Sequence, residues 1–169
     1  LALKTDGTLY TWGSNSFGQL GNGSTDDVFI PTQIGSEYYA IAAGYYHSLA
    51  LKTDGTLWAW GNNHQSQLGD GTNEERHTPV QIGSGFSIIA AGSFHSLAIK
   101  NDGSLYSWGA NEWGQLGNGT TTYKNIPELI GSDYSAIAGG SLHSLALKKN
   151  GTLWAWGNNY WNQLGDSTS

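Results

Sequence analysis

The chain has 169 residues, 38% of them hydrophobic and 12% charged, with 25 glycines, eight tryptophans and a formal charge of −6. That balance excludes a disordered, charge-rich chain and argues against a nucleic-acid binder, which would present a basic face. The absence of cysteine excludes a disulfide framework and any thiolate metal site, and no apolar run approaches the roughly 20 residues of a membrane-spanning helix.

Read in chain order, the sequence returns to itself. Asp6-Gly7, Asp54-Gly55, Asp102-Gly103 and Asn150-Gly151 recur every 48 residues, as do Trp12, Trp60, Trp108 and Trp156. His47, His95 and His143 keep the same step, and so do Pro31, Pro79 and Pro127. Gln-Leu-Gly stands at 19–21, 67–69, 115–117 and 163–165 without an insertion or deletion. Within one unit, "IAAG" at 41–44 is a short apolar run, and "SLALK" at 48–52 and "LWAW" at 57–60 are runs of strand length joined by Thr-Asp-Gly-Thr. Asp-Gly between two such runs predicts a tight hairpin. A fourth run, "PVQI" at 79–82, places Pro79 at the start of a strand, where a lost N–H is tolerated. Nothing sustains a 3.6-residue period.

Four short strands per repeat of this length define the blade of a β-propeller, and the expected fold is all-β, with about 3.5 repeats of four-stranded blades. One propeller segment spans 1–169, with repeats at approximately 1–48, 49–96 and 97–144 and a partial one at 145–169. The small side chains of "IAAG" suit the crowded centre, and the bulk of "LWAW" suits the region where blades diverge.

The stretch Ile41 to Thr72 resembles the repeat of the regulator of chromosome condensation family. His-Ser-Leu-Ala-Leu, Asp-Gly, Trp-Gly and Gln-Leu-Gly follow one another in that family's order, in three copies and a partial fourth. Trp-Asp, the mark of WD repeats, is absent, and the only Gly-Gly doublet is Gly139-Gly140. The resemblance implies a seven-bladed propeller. The chain opens mid-repeat at Leu1, contains no methionine and stops mid-loop, so we expect an arc of a longer chain, with a self-associating half-propeller as the alternative. An isolated arc would expose strand edges.

Several motifs invite chemistry and favour architecture instead. One histidine per blade, beside a serine entering a strand, suits a hydrogen bond between blades better than a metal site, which needs three or four convergent ligands. "GQLGNG" at 18–23 and 114–119 lacks the helix and the lysine of a phosphate loop. "DGTNEE" at 70–75 lacks the ordered oxygen spacing of a calcium loop and reads as a solvated loop. Asn22-Gly-Ser, Asn118-Gly-Thr and Asn150-Gly-Thr match the glycosylation pattern and equally an Asn-Gly turn. No catalytic set assembles from positions that differ between repeats, so neither an enzyme nor a cofactor or metal is expected.

In a propeller the blades are scaffold and the loops bind. Four windows differ between repeats: Ser16–Gly18 with its counterparts at 64–66, 112–114 and 160–162; 26–30, 74–78 and 122–126; 37–39, 85–87 and 133–135; and 45–46, 93–94 and 141–142. They are rich in aromatic and acidic residues, the former being good interface anchors. The candidate partner-binding residues are Phe17, Gln65, Trp113 and Trp161 at one phase and Tyr45, Tyr46 and Phe94 at another, and the competing reading is that these rings pack over the blade ends. The leading expectation is a non-catalytic protein-interaction scaffold. Guanine-nucleotide exchange on a small GTPase, the role of the family's founding member towards Ran, is one alternative. That member has basic DNA-binding segments, absent here, and a loop wedge for which uniform repeats leave no room. The other alternative is a secreted or surface bacterial module that binds glycans or inhibits an enzyme. The partner is thus expected to be a protein, with a glycan possible and neither nucleic acid nor membrane involved. Few lysines and Asn/Thr/Gly-rich loops lean towards an extracellular setting, with the cytoplasm as alternative.

Overall fold

A computed structural model describes residues 1–166, which form fourteen strands and no helix. The first sheet holds β1 (Ala2–Leu3), β2 (Leu9–Gly13) and β3 (Val28–Gly35). The second holds β4 (Tyr38–Ala43), β5 (His47–Lys52), β6 (Thr56–Gly61) and β7 (Arg76–Ser84), and the third β8 (Phe86–Ala91), β9 (His95–Lys100), β10 (Leu105–Gly109) and β11 (Lys124–Gly131). The fourth holds β12 (Tyr134–Gly139), β13 (His143–Lys148) and β14 (Leu153–Gly157). Each sheet is an antiparallel meander, and the two complete ones are four-stranded blades of an open propeller arc.

The residues explain the order within a blade. At each predicted hairpin an Asx side chain caps the turn: Asp54 Oδ1 accepts from the Thr56 amide at 2.9 Å, as Asp6, Asp102 and Asn150 do from Thr8, Ser104 and Thr152. The small run "IAAG" supplies the innermost strands, with β4 packed on β8 and β8 on β12. There the backbones come so close that a Cβ on Gly139 would lie 2.6 Å from the Ala91 carbonyl carbon. The proline is not at the start of the outer strand. β7 begins at Arg76, and Pro79 lies inside it, in the stretch where the register shifts between Ala59↔Val80 and Gly61↔Arg76. An outer edge strand with a bulge has no ladder partner for that missing N–H, which is why proline persists there.

The core lies between blades. Leu49, Leu51 and Leu57 of the second sheet pack against Phe86, Ala98 and Trp108 of the third, and Leu97, Ile99 and Leu105 of the third against Tyr134 and Ala146 of the fourth. A polar clasp repeats at each junction. The Gln67 carbonyl accepts from Trp108 Nε1 at 3.0 Å and from Ser96 Oγ at 2.7 Å, both in the next blade. Gln19 does the same for Trp60 and Ser48, and Gln115 for Trp156 and Ser144. The histidine closes the circuit. His47 Nε2 lies 2.9 Å from Ser96 Oγ, and His95 Nε2 lies 2.9 Å from Ser144 Oγ. Since each serine hydrogen goes to a carbonyl, each imidazole must donate from Nε2, which leaves Nδ1 as a lone-pair acceptor. Nδ1 of His47 and of His95 is buried without a partner. The inter-blade hydrogen bond anticipated for this histidine is therefore present.

Candidate interaction face

Antiparallel meanders send alternate connections to opposite ends of a blade. The hairpin face carries the Asx-Gly turns and the short links between sheets. The loop face carries the turns from first to second strand (44–46, 92–94, 140–142) and the long loops that follow β2, β6, β10 and β14 (14–27, 62–75, 110–123, 158–166).

On the hairpin face, rings and lysines satisfy one another. Lys52 Nζ stands 5.3 Å from the Tyr38 ring and 5.0 Å from the Trp58 ring. Lys100 is placed likewise between Phe86 and Tyr106, and Lys148 between Tyr134 and Trp154. In the variable window at 37–39, 85–87 and 133–135 the rings Tyr38, Phe86 and Tyr134 are buried, whereas Tyr39 is exposed. The phase varies between Tyr and Phe only because either ring fills the same site. Burial raises the Tyr38 and Tyr134 hydroxyls above the ordinary tyrosine value.

The long loops of the loop face are built around a buried asparagine that sequence reasoning missed. Asn63 Oδ1 accepts from the Leu68 amide, and its Nδ2 donates to Asp70 Oδ1 and the Thr72 carbonyl. Asn15 and Asn111 repeat this in their own loops. Asn15, Asn63, Asn111 and Asn159 recur at the 48-residue step, which was the signal available. The loop at 70–75 is more ordered than a solvated loop. Asp70 is buried at its carboxylate, and Arg76 Nε donates to it at 2.6 Å. Burial pushes that carboxyl up, and hydrogen bonds from Thr72 and Arg76 outweigh it, so the net shift is downward. Glu75 lies between two imidazoles, 3.3 Å from His64 and 3.4 Å from His77. Among the described residues no group of three or more His, Asp or Glu side chains is placed to hold a metal ion.

Once shaped, the loops present the candidate side chains together. The Phe17 and Tyr46 ring centroids are 4.6 Å apart, Tyr46 and Tyr45 4.4 Å, and Tyr45 and Phe94 6.0 Å. Four of the seven candidates thus form one continuous aromatic run across three blades, and His64, 6.3 Å from Phe17, extends it. Phe17 thus packs on the first turn of the next blade. At the same phase Trp113, with Leu142, Tyr160 and Trp161, lines a groove of about 440 Å³. Gln65 is half-buried at this phase, and its amide donates to Gln67 Oε1. The amides of Phe17, Trp113 and Trp161 make the equivalent turn contact to Gln19, Gln115 and Gln163. Packing over blade ends and exposure coexist: Phe17 is half-buried, whereas Trp113 is 52% and Tyr45 64% exposed. Beside Trp113, Glu112 accepts from the Tyr123 hydroxyl, and burial followed by this carboxylate pushes Tyr123 up to about 12.

The RCC1-like domain family model matches residues 1–169, the whole chain. The chain belongs to the RCC1-like family. Human WBSCR16 superposes with a TM-score of 0.85 at 27% identity, over 96% of this chain and 46% of that protein. Prp20p from Saccharomyces cerevisiae, described with its binding to Gsp1p and histones, superposes with a TM-score of 0.81 at 26% identity, over 99% of this chain and 45% of that one. Yeast RCC1 (Prp20) bound to Kap60 gives a TM-score of 0.82 at 26% identity, over 93% of this chain and 41% of that one. The RCC1-like arc therefore spans less than half the length of these relatives.

Proposed function

We infer that the RCC1-like arc is a non-catalytic scaffold whose loop face docks another protein. One observation carries this: the continuous aromatic run Phe17–Tyr46–Tyr45–Phe94 is built from positions where otherwise matching repeats differ. Residues that maintain blades recur, as the Trp–Gln and His–Ser clasps do, while residues that choose a partner need not. Exposed aromatic side chains contribute large contact area at small entropic cost, which suits interface anchors. The relatives' described partners Kap60, Gsp1p and histones are proteins, in keeping with this reading.

The test is selection of a displayed peptide library on the wild-type protein, with counter-selection on Tyr45→Ala/Trp113→Ala. Enriched binders should lose at least about tenfold in affinity for the variant, the equivalent of one well-packed ring. Binders indifferent to both substitutions would overturn the reading. The likeness to Prp20p favours guanine-nucleotide exchange as a second reading. Nucleotide release from a panel of small GTPases that stays at the uncatalysed rate would dismiss it.

A further inference from the structure

Charge is shared unequally between the two faces. Lys4, Lys52, Lys100, Lys148 and Lys149 lie on the hairpin face with an equal number of carboxylates. The loop face and its outer strands carry the other eight carboxylates against Arg76 and Lys124, so the whole formal charge of −6 resides at that end. Both of those cations are engaged, Arg76 with Asp70 at 2.6 Å and Lys124 with Glu128 at 3.2 Å. Asp26, Asp27, Glu74 and Glu112 are exposed on the long loops.

The rings show the same asymmetry. On the hairpin face the chain's own lysines lie over aromatic faces at 4.5–5.3 Å. On the loop face Tyr45 and Trp113 are more exposed than buried, and among the described residues no cation lies over either ring. The electron-rich face of Trp or Tyr attracts Arg or Lys, and more strongly where carboxylates lower the local potential. A groove lined by Trp113, Leu142, Tyr160 and Trp161 offers an apolar bed for the aliphatic stem of such a side chain.

We propose that the loop face takes a cationic peptide segment of a partner protein, whose Arg or Lys side chains stack on Tyr45 and Trp113 and pair with the exposed carboxylates of the long loops. This rests on the reading of the loop face as a docking surface and adds the partner's chemistry. Nucleic acid is the wrong sign for this face, and a neutral partner would leave the carboxylates uncompensated.

The test is fluorescence anisotropy with labelled twelve-residue peptides: one rich in Arg, one in Lys, one in Glu and one of Ser and Gly. The Arg and Lys peptides should bind saturably and lose about tenfold or more in affinity as salt is raised from about 50 to about 500 mM, as screening requires. Tyr45→Ala/Trp113→Ala should weaken them about tenfold. The carboxamide variant Asp26→Asn/Asp27→Asn/Glu74→Gln/Glu112→Gln, which preserves shape, should weaken them comparably, while Lys52→Gln on the other face should change nothing. Equal binding of the Glu-rich peptide, or undiminished affinity in both loop-face variants, would overturn the proposal. Library binders that are neutral or acidic yet depend on Tyr45 and Trp113 would also overturn it while leaving the docking surface intact. A library without any face-dependent binder would remove the docking surface itself.

Discussion

Acid should destabilise this protein through two histidines well before its hydrogen-bonded carboxylates are protonated. His47 and His95 lie at the junctions between blades, each donating from Nε2 to a serine of the next blade and each with a buried, unpartnered Nδ1. A second proton has no acceptor to meet there. Burial, and after it repulsion from the next histidine in the series, lowers His47 to about 3 and His95 to about 4. In the unfolded chain a histidine titrates near about 6.5. Above that value both forms are neutral and the folded state keeps its full stability. Below it the unfolded chain binds two protons that the folded one refuses, so stability falls with pH down to the folded values. At about pH 5 the loss is roughly 2 kcal/mol per histidine and about 4 kcal/mol for the pair. That is a large share of the 5–15 kcal/mol typical of a domain. Carboxylates held below their ordinary values, such as Asp54 by hydrogen bonds from Thr56, act at lower pH and leave this window to the imidazoles. The assay is urea unfolding followed by tryptophan fluorescence at about pH 7.5 and about pH 5. The midpoint should fall at constant m, and the Cε1–H resonances of His47 and His95 should stay at their neutral positions in the folded protein. A loss under about 1 kcal/mol, or either resonance titrating above about pH 5.5, would refute the reasoning.

Two further predictions follow from the same junction. Gly69 has φ +77°, and a Cβ there would lie 2.6 Å from Trp108 Nε1, so Gly69→Ala should cost about 3 kcal/mol in denaturant unfolding through strain and a displaced indole. Gly85→Asp serves as its control: φ is +77° with nothing near the Cβ, and Asp133 holds the same phase at φ +67°, so the cost should stay within about 1 kcal/mol. Trp60 is fully buried and donates to the Gln19 carbonyl, whereas Trp12, at the same phase, is 42% exposed and makes no such bond among the described residues. Trp60→Phe should therefore cost about 2–3 kcal/mol and Trp12→Phe under about 1 kcal/mol, compared by thermal or denaturant melts.

The parts of the fold legible in the sequence were those in which a recurring side chain itself does the work. Asp54-Gly55 announces a hairpin because the carboxylate and the amide it caps are two residues apart. The bond from His47 to the next blade was readable because a polar side chain recurring beside a strand needs a partner at the same recurrence. The Trp60–Gln19 clasp was not, because its acceptor is a main-chain carbonyl and side-chain identity says nothing of where a carbonyl points. The burial of Tyr38 was not readable for a different reason: variation between Tyr and Phe at one phase looks the same whether the ring is buried or exposed. Pro79 was assigned to the start of a strand that begins three residues earlier, because a bulge erases the alternation that marks a strand's true end. The aromatic run of the candidate site was half readable. The variable phases were visible, but the packing of Phe17 on Tyr46 needs the meander that brings the loop of one blade over the first turn of the next. The segregation of charge between faces was hidden likewise, since residues near in sequence go to opposite ends.

The clasp between blades has a direction. Each blade offers a glutamine carbonyl and a histidine donor on one side and a tryptophan and a serine on the other, so each junction joins unlike surfaces with the same parts. A duplication of 48 residues, inserted in frame, therefore arrives with both halves of a junction already made. Neither old neighbour has to change, and the new copy can diverge at its loops at once. Lengthening such a chain requires no invented interface, and growth in blade number and change in binding specificity are separable events in its evolution. Cooperativity has the opposite character: stability accrues junction by junction, and each clasp bears first on the two blades it joins.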